Sequence, residues 1–451
     1  MYASDGRTLI ARFDTDPRES CLRVPRNEWG FFCGYLVAWW QAQLAFGTQP
    51  AQRLDRLRRG GYRIVASLDV GLQAAAKRHV EEQVPTGDRN ALTLVAVQPG
   101  TGRIKAMAVN RNFRPGPLEP SASGTADWSR RRRQLESPDT VEPLLTGGEQ
   151  MAGYPAGSTF MMFTIAAALD KGIPLDYAID TKPRYESRYL VQRGTPADCG
   201  SGHWCAENFG DLAYRAGRRT MWQALGHSVV TYFVPLQERV GADAVVDVAQ
   251  RLGIRFRTGN DEQYASAPLA SQWGPFTLGV SATTSMDLAN AYATLAADGT
   301  RCDPLPVQQI IDARGQPVSA ADPRCTTALR PEVARAALDA GRCAVGDRSA
   351  FGDVCGAGTV PAASVRAVVN RPVAGQLGVD DRNTTSALAI ASPQLATAAI
   401  VADPGCPVCS MVGPSAAALV AAAVADTQRD GLAPLPYRDF TPPPRQLAIG
   451  G

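Results

Sequence analysis

Lysine is almost missing from this chain. Of its 46 basic residues only four are lysines, Lys77, Lys105, Lys171 and Lys182, and the other 42 are arginines. Histidine is equally scarce, with three in 451 residues. Chemistry that needs an amine or imidazole to take a proton therefore has few side chains to draw on. The same scarcity argues against a metal centre, and no cofactor is expected. A long apolar run is absent as well. The most apolar stretch, Phe31 to Phe46, carries Gln41 and Gln43, and its length of about 16 residues falls short of the roughly 20 that a membrane span needs. It reads as a packed helix. The opening Met1-Tyr-Ala-Ser-Asp-Gly-Arg7 has neither the basic nor the apolar region of a secretory signal. Membrane attachment is thus expected only through a segment absent from this chain. The formal net charge of +3 carries no signal for a nucleic-acid partner.

What is present is the composition of a folded protein, 45% hydrophobic and 20% charged. Its ten cysteines fall in local couples: Cys21 and Cys33, Cys199 and Cys205, Cys302 and Cys325, Cys343 and Cys355, Cys406 and Cys409. Free buried thiols and a metal site at Cys406 and Cys409 are the alternatives. Neighbours in short loops favour disulfides and hence an extracytoplasmic location, in the cell envelope or secreted.

The chain is organised around Tyr154-Pro-Ala-Gly-Ser-Thr-Phe-Met-Met-Phe-Thr164. A tight turn at Pro155 and Gly157 delivers Ser158 to the start of an apolar helix, with Met161, Met162, Ile165, Ala166 and Leu169 at helical spacing and Lys171-Gly172 ending it. A serine there is either a helix cap or a nucleophile among free backbone N–H groups. Around it, Tyr62 to Asp69 alternates like a strand, Leu72 to Val84 reads as an amphipathic helix, and Leu92–Val97 and Ile104–Val109 read as strands joined at Gly100-Thr-Gly102. Residues 110 to 150 read as a loop containing Arg130-Arg-Arg-Arg133, a solvated run or a contact for an anionic polymer. The arginines between Arg53 and Arg59 read as a solvated helix face.

This turn, serine and helix resemble the active-serine segment of penicillin-binding proteins and class A β-lactamases, whose signature is S-x-x-K. The match puts Met161 where the family has its lysine. The run Met221 to Phe233 resembles the family's S-x-N segment, with Ser228 as the serine and Val230 at the asparagine position. Trp273 to Leu295 also resembles a helical region of the family. Two places compete for the K-T-G strand, Cys355-Gly-Ala-Gly-Thr359 and Arg371 to Val379. The second is preferred because Ser386–Ile390 and Leu395–Val401 follow it as strands. On that match the box reads Gln376-Leu377-Gly378: the cation and the hydroxyl are gone, and Gly378 keeps room for an extended ligand.

The resemblance implies an α/β (α+β) fold, an antiparallel sheet flanked by helices. It implies an N-terminal piece at 1–61, a transpeptidase-like domain at 62–430 and a Pro-rich tail at 431–451. It also implies oxyanion donors at the backbone N–H groups of Ser158 and Val379. Bifunctional members carry a glycosyltransferase domain upstream, which the first 61 residues are too few to hold. With Met161, Val230 and Gln376 at the three polar positions, the reading is a pseudo-transpeptidase with Ser158 as a vestigial nucleophile. It would bind a peptidoglycan stem peptide or a cell-envelope protein. An active serine acyl-enzyme is the alternative, with a base such as His227, otherwise read as a partly exposed helix-end residue. A further reading is an interaction module using residues 1–60 and the Arg130 loop.

Overall fold

The computed structural model describes residues 1–116, 133, 135–148, 151–208, 216–358 and 360–450. Of the Arg130–Arg133 run only Arg133 lies among them, and Thr359 of the competing box lies outside. The first apolar run forms helix α1 (Gly30–Ala42), and the arginine run after it forms α2 (Pro50–Arg59). Arg56, Arg58 and Arg59 face solvent as expected, but Arg53 is buried. Its guanidinium donates to the carbonyls of Gln41 (2.6 Å), Gly47 (2.7 Å) and Thr48 (2.9 Å). One planar group with five donors thus satisfies a carbonyl at the end of α1 and two in the link to α2, and the solvated reading is corrected at this residue.

Strand β1 (Arg63–Ala66) pairs antiparallel with Val307–Ile311 rather than with the main sheet. Helix α3 (Val70–Gln83) begins at Asp69, whose carboxylate accepts from the N–H groups of Gly71 and Leu72. Then come β2 (Ala91–Gln98) and β3 (Arg103–Val109), the central helix α4 (Met161–Asp170), α5 (Met221–Gly226), α6 (Val230–Val240), α7 (Ser285–Ala296) and α8 (Pro331–Ala344). Strands β4 (Ala374–Val379), β5 (Thr385–Ala391) and β6 (Ala396–Ala402) follow, and α9 (Ala416–Leu432) and α10 (Arg445–Ile449) close the chain.

The main sheet has five strands in the order β4-β5-β6-β2-β3, antiparallel throughout. Side chains alternate between its faces. One face of β5 and β6 carries Ala387, Ala389, Ala391, Ala396, Ala398 and Ala402, and the other carries Leu388, Ile390 and Val401. The alanine face lets α7 approach closely, while α9 covers the larger residues and α3 lies beside it over β2 and β3. Helices on both faces explain why β5 and β6 are buried along their whole lengths. On the alanine side the core continues into α4, where every residue from Met161 to Leu169 is buried. A helix apolar all round belongs inside a protein, and burying each Met, Phe, Ile or Leu contributes roughly 1.5–3 kcal/mol.

Beyond α9 the chain returns to the segment after α4, where the Leu175 and Asp176 N–H groups donate to the carbonyls of Leu447 and Ala448. All ten cysteines are joined, in the five neighbouring couples. That removes the free-thiol and metal alternatives. Among the described residues no helix is long and apolar enough to cross a membrane.

Candidate functional site

Ser158 sits in a 3-10 turn, Gly157–Phe160, that runs directly into α4. Gly157 has φ +58°, and a Cβ there would lie 2.5 Å from the Val379 nitrogen. The turn thus needs a residue that tolerates the left-handed region and has no side chain. Gly378 is required from the opposite side: a methyl on it would overlap the Ala156 carbonyl and come within 2.9 Å of the Ser158 and Thr159 nitrogens. The edge strand β4 therefore lies backbone-to-backbone against the serine turn.

Four contacts hold the turn from other directions. Tyr154 and Thr283 exchange backbone hydrogen bonds at 2.7 and 2.9 Å, and Ala156 N donates to Gly279 O. Thr385 on β5 donates its hydroxyl to Pro155 O at 2.7 Å. Tyr292 on α7 donates its hydroxyl to Thr159 O at 3.0 Å. The last two were not singled out in the sequence. The signal for Tyr292 was a lone polar-tipped aromatic within the small-residue run of α7, and a buried phenol needs an acceptor.

Alternation also decides what β4 presents. Asp380 N donates to Thr385 O, so Gly378 and Gln376 bond to β5 and the N–H groups of Leu377 and Val379 point away from it. Their side chains obey the opposite rule. Gln376 reaches the serine side, where its Nε2 donates to Ser228 Oγ at 3.4 Å, while Leu377 packs in the outer core beneath α9. Ser228 lies in the break between α5 and α6 at φ +53°, and its hydroxyl stands 4.0 Å from Met161 Sδ. The structure thus brings Met161, Ser228 and Gln376 into one cluster one helical turn from Ser158. Val230, the first residue of α6, is buried in the same core as Met161 and offers no polar group to the cluster.

The cluster is neutral. Gln376 is 2% exposed, and its Oε1 is buried without a hydrogen-bond partner. Among the described residues none hydrogen-bonds Ser158 Oγ, and no charged side chain bonds to Met161, Ser228 or Gln376. All four lysines are engaged or placed elsewhere. Lys77 bonds to Val109 O (2.8 Å), Arg111 O (3.1 Å) and the Glu81 carboxylate (3.0 Å). Lys171 bonds to Val240 O, Lys105 lies on β3 and Lys182 is exposed. Burial holds the Tyr154 phenol well above its usual range, despite the Arg111 guanidinium, so it cannot serve as a base.

His227 corrects the expectation of a partly exposed residue, for it is 1% exposed. It ends α5, its Nδ1 lies 2.7 Å from Gln223 O, and its other edge faces Gly358. The chain past Cys355, tied to α8 by the Cys343–Cys355 bond, covers it. An Nδ1–H donating to that carbonyl fixes the ring towards Gly358.

A family model described as the penicillin-binding protein transpeptidase domain matches residues 92–333, more than half of the chain. Penicillin-binding protein 1A of Aquifex aeolicus is 26% identical over 291 residues, 64% of this chain and 31% of that protein. The chain is also similar to the peptidoglycan D,D-transpeptidase PbpA of Mycolicibacterium smegmatis, 27% identical over 363 residues, 75% of this chain and 67% of the relative. Among solved structures, the penicillin-binding protein PonA1 of Mycobacterium tuberculosis superposes with a TM-score of 0.60 at 21% identity, covering 86% of this chain and 90% of that one. The antiparallel sheet between helical layers is thus a penicillin-binding-protein transpeptidase fold. The family match ends before β4, so the assignment of Gln376 to Gly378 rests on strand position and contacts alone.

Proposed function

Since the chain belongs to the penicillin-binding-protein transpeptidase family, we propose that its serine cleft is a binding site that does not turn over. The occupant is a peptidoglycan stem peptide or a cell-envelope protein, and the five disulfides fit that extracytoplasmic setting. One observation carries the reading. The cluster one helical turn from Ser158 is a thioether, a hydroxyl and a carboxamide, none of which takes a proton at neutral pH. An alcohol without an adjacent base is a poor nucleophile, and a missing general base costs roughly 10²–10⁴ in rate. On the family resemblance, the N–H groups of Ser158 and Val379, which the serine turn and β4 hold side by side, are the donors that would receive a carbonyl oxygen.

The test is intact-protein mass spectrometry after prolonged exposure of folded protein to a reactive penicillin. We expect no mass increase. A stoichiometric adduct on Ser158 would overturn the reading and put an active acyl-enzyme in its place. His227→Ala would then be the first variant to examine, although the direction of its ring speaks against it.

A further inference from the structure

The Cys406–Cys409 bond differs from the other four. Each of those buries at least one cysteine: Cys21 and Cys33, Cys205, Cys302, and Cys343. In the 406–409 pair neither partner is buried, and Cys409 is exposed. Its sequence separation of 3 is also the smallest, against 6, 12, 12 and 23. The stabilisation a disulfide supplies grows with the loop it closes, so this bond contributes least to holding the fold. The backbone keeps the turn without it. Asp403 Oδ1 accepts from Gly405 N (2.8 Å) and Cys406 N (3.3 Å), and Cys406 O accepts from the N–H groups of Cys409 and Ser410. Both sulfurs would therefore stay close after cleavage.

Cys409 and its neighbour Val408 are both exposed, and neither cysteine lines the groove beside them. The turn walls a groove of about 480 Å³, with Pro404 and Val408 on one side and Met151, Pro155 and Val280 on the other. Val408 and Val280 are 48% and 46% exposed. The far wall is the segment that leads into Ser158.

From these features we infer that Cys406–Cys409 is a reversible thiol–disulfide exchange site, reduced by a dithiol. One thiolate of the donor attacks the exposed Cys409 sulfur, breaking its bond to Cys406 and releasing the Cys406 thiolate. The donor's second thiolate then attacks the mixed disulfide and releases the Cys409 thiolate. The donor leaves as a disulfide, the protein gains two electrons and two protons as thiols, and an oxidised disulfide runs the steps in reverse.

The experiment exposes the native chain to limiting dithiothreitol, quenches with iodoacetamide and maps labelled cysteines by peptide mass spectrometry. Cys406 and Cys409 should label at least ten-fold faster than any other pair, and oxidised glutathione should restore the bond before alkylation. The inference is overturned if Cys199–Cys205 or Cys302–Cys325 opens as fast, if no pair opens, or if reoxidation yields other pairings. The C406S/C409S variant should lose the fast-labelling pair and, with dithiothreitol in excess over protein, label its slower pairs at the unaltered rate. Early labelling that persists in that variant would also refute it.

Discussion

Met161→Lys tests directly what the cleft does to a cation. Met161 is fully buried, with Sδ 4.0 Å from Ser228 Oγ. Among the described residues no carboxylate bonds to the cluster it belongs to. An introduced amine therefore meets desolvation and no compensating anion. Buried lysines fall by about 3–5 units from an ordinary value near 10.4. With the folded value depressed, the unfolded chain binds the extra proton between the two, so stability rises with pH across that window. At pH 7 the folded state must hold the amine neutral, which costs about 4–5 kcal/mol before any packing change. The penalty should shrink by about 1.4 kcal/mol for each pH unit up to about 10. The neutral amine is also the form that accepts a proton, so acylation of Ser158 by a penicillin should rise by roughly 10²–10⁴. Urea unfolding of both proteins from about pH 7 to about pH 9 reads the first effect, and adduct mass reads the second. A stability penalty that does not change with pH would refute the reasoning, because it would mean a charged, hydrated ammonium in a wet cleft.

Gly378→Ala forces a methyl into the Ala156 carbonyl and towards the Ser158 nitrogen, and should cost about 1–3 kcal/mol in thermal unfolding. A neutral result would mean that strand and turn part freely. Asp339→Asn loses a buried carboxylate that accepts from Trp222 Nε1 (2.8 Å), Ser349 Oγ (2.6 Å) and Ala350 N (2.7 Å). We expect a loss of about 2–3 kcal/mol by denaturant titration, and a loss below about 1 kcal/mol would contradict the charge-assisted account. Burial holds the Tyr292 phenol above its usual range, so its contribution is intact below about pH 10 and falls by about 1.4 kcal/mol per pH unit above it, where only the unfolded chain ionises. Tyr292→Phe should flatten that alkaline decline while costing about 1 kcal/mol at neutral pH; an unchanged alkaline slope would sink the assignment.

Periodicity made the central strands and α4 legible, because both are set by local spacing of apolar residues: Leu92 to Val97 became the core of β2, and Met161 to Leu169 the body of α4. Ser158 and Met161 were singled out differently, from the turn at Pro155 and Gly157 and from the resemblance to S-x-x-K, whose spacing puts both on one helical face. What was not legible depended on which elements become neighbours. Arg53 lies in a run that looks solvated, and only the end of α1 beside it turns its side chain inward. His227 looked like a helix end at the surface, until the chain past Cys355 is seen to lie over it. Tyr292 and Thr385 clamp the serine turn from α7 and β5, elements far from it in sequence. Local pattern cannot locate a contact made across the fold.

The cleft's shape is held by backbone: Gly157 against Val379, and Gly378 against Ala156 and Ser158. None of that depends on charge, so the shape would persist with either a neutral or a charged side chain at 161 and 376. Replacing buried ions by neutral groups of similar volume is often neutral or stabilising. Reversing the change need not be symmetrical, and Val230 shows why. At the asparagine position on the family resemblance, it is 1% exposed at the start of α6, in the same core as Met161. Val230→Asn would bury a carboxamide among apolar neighbours, costing about 1–3 kcal/mol. Added to Met161→Lys, it should lower stability further and bring no gain in acylation. If the double variant instead acylates faster than Met161→Lys alone, measured by adduct formation over time, the residue at 230 reaches the serine and the expected asymmetry fails.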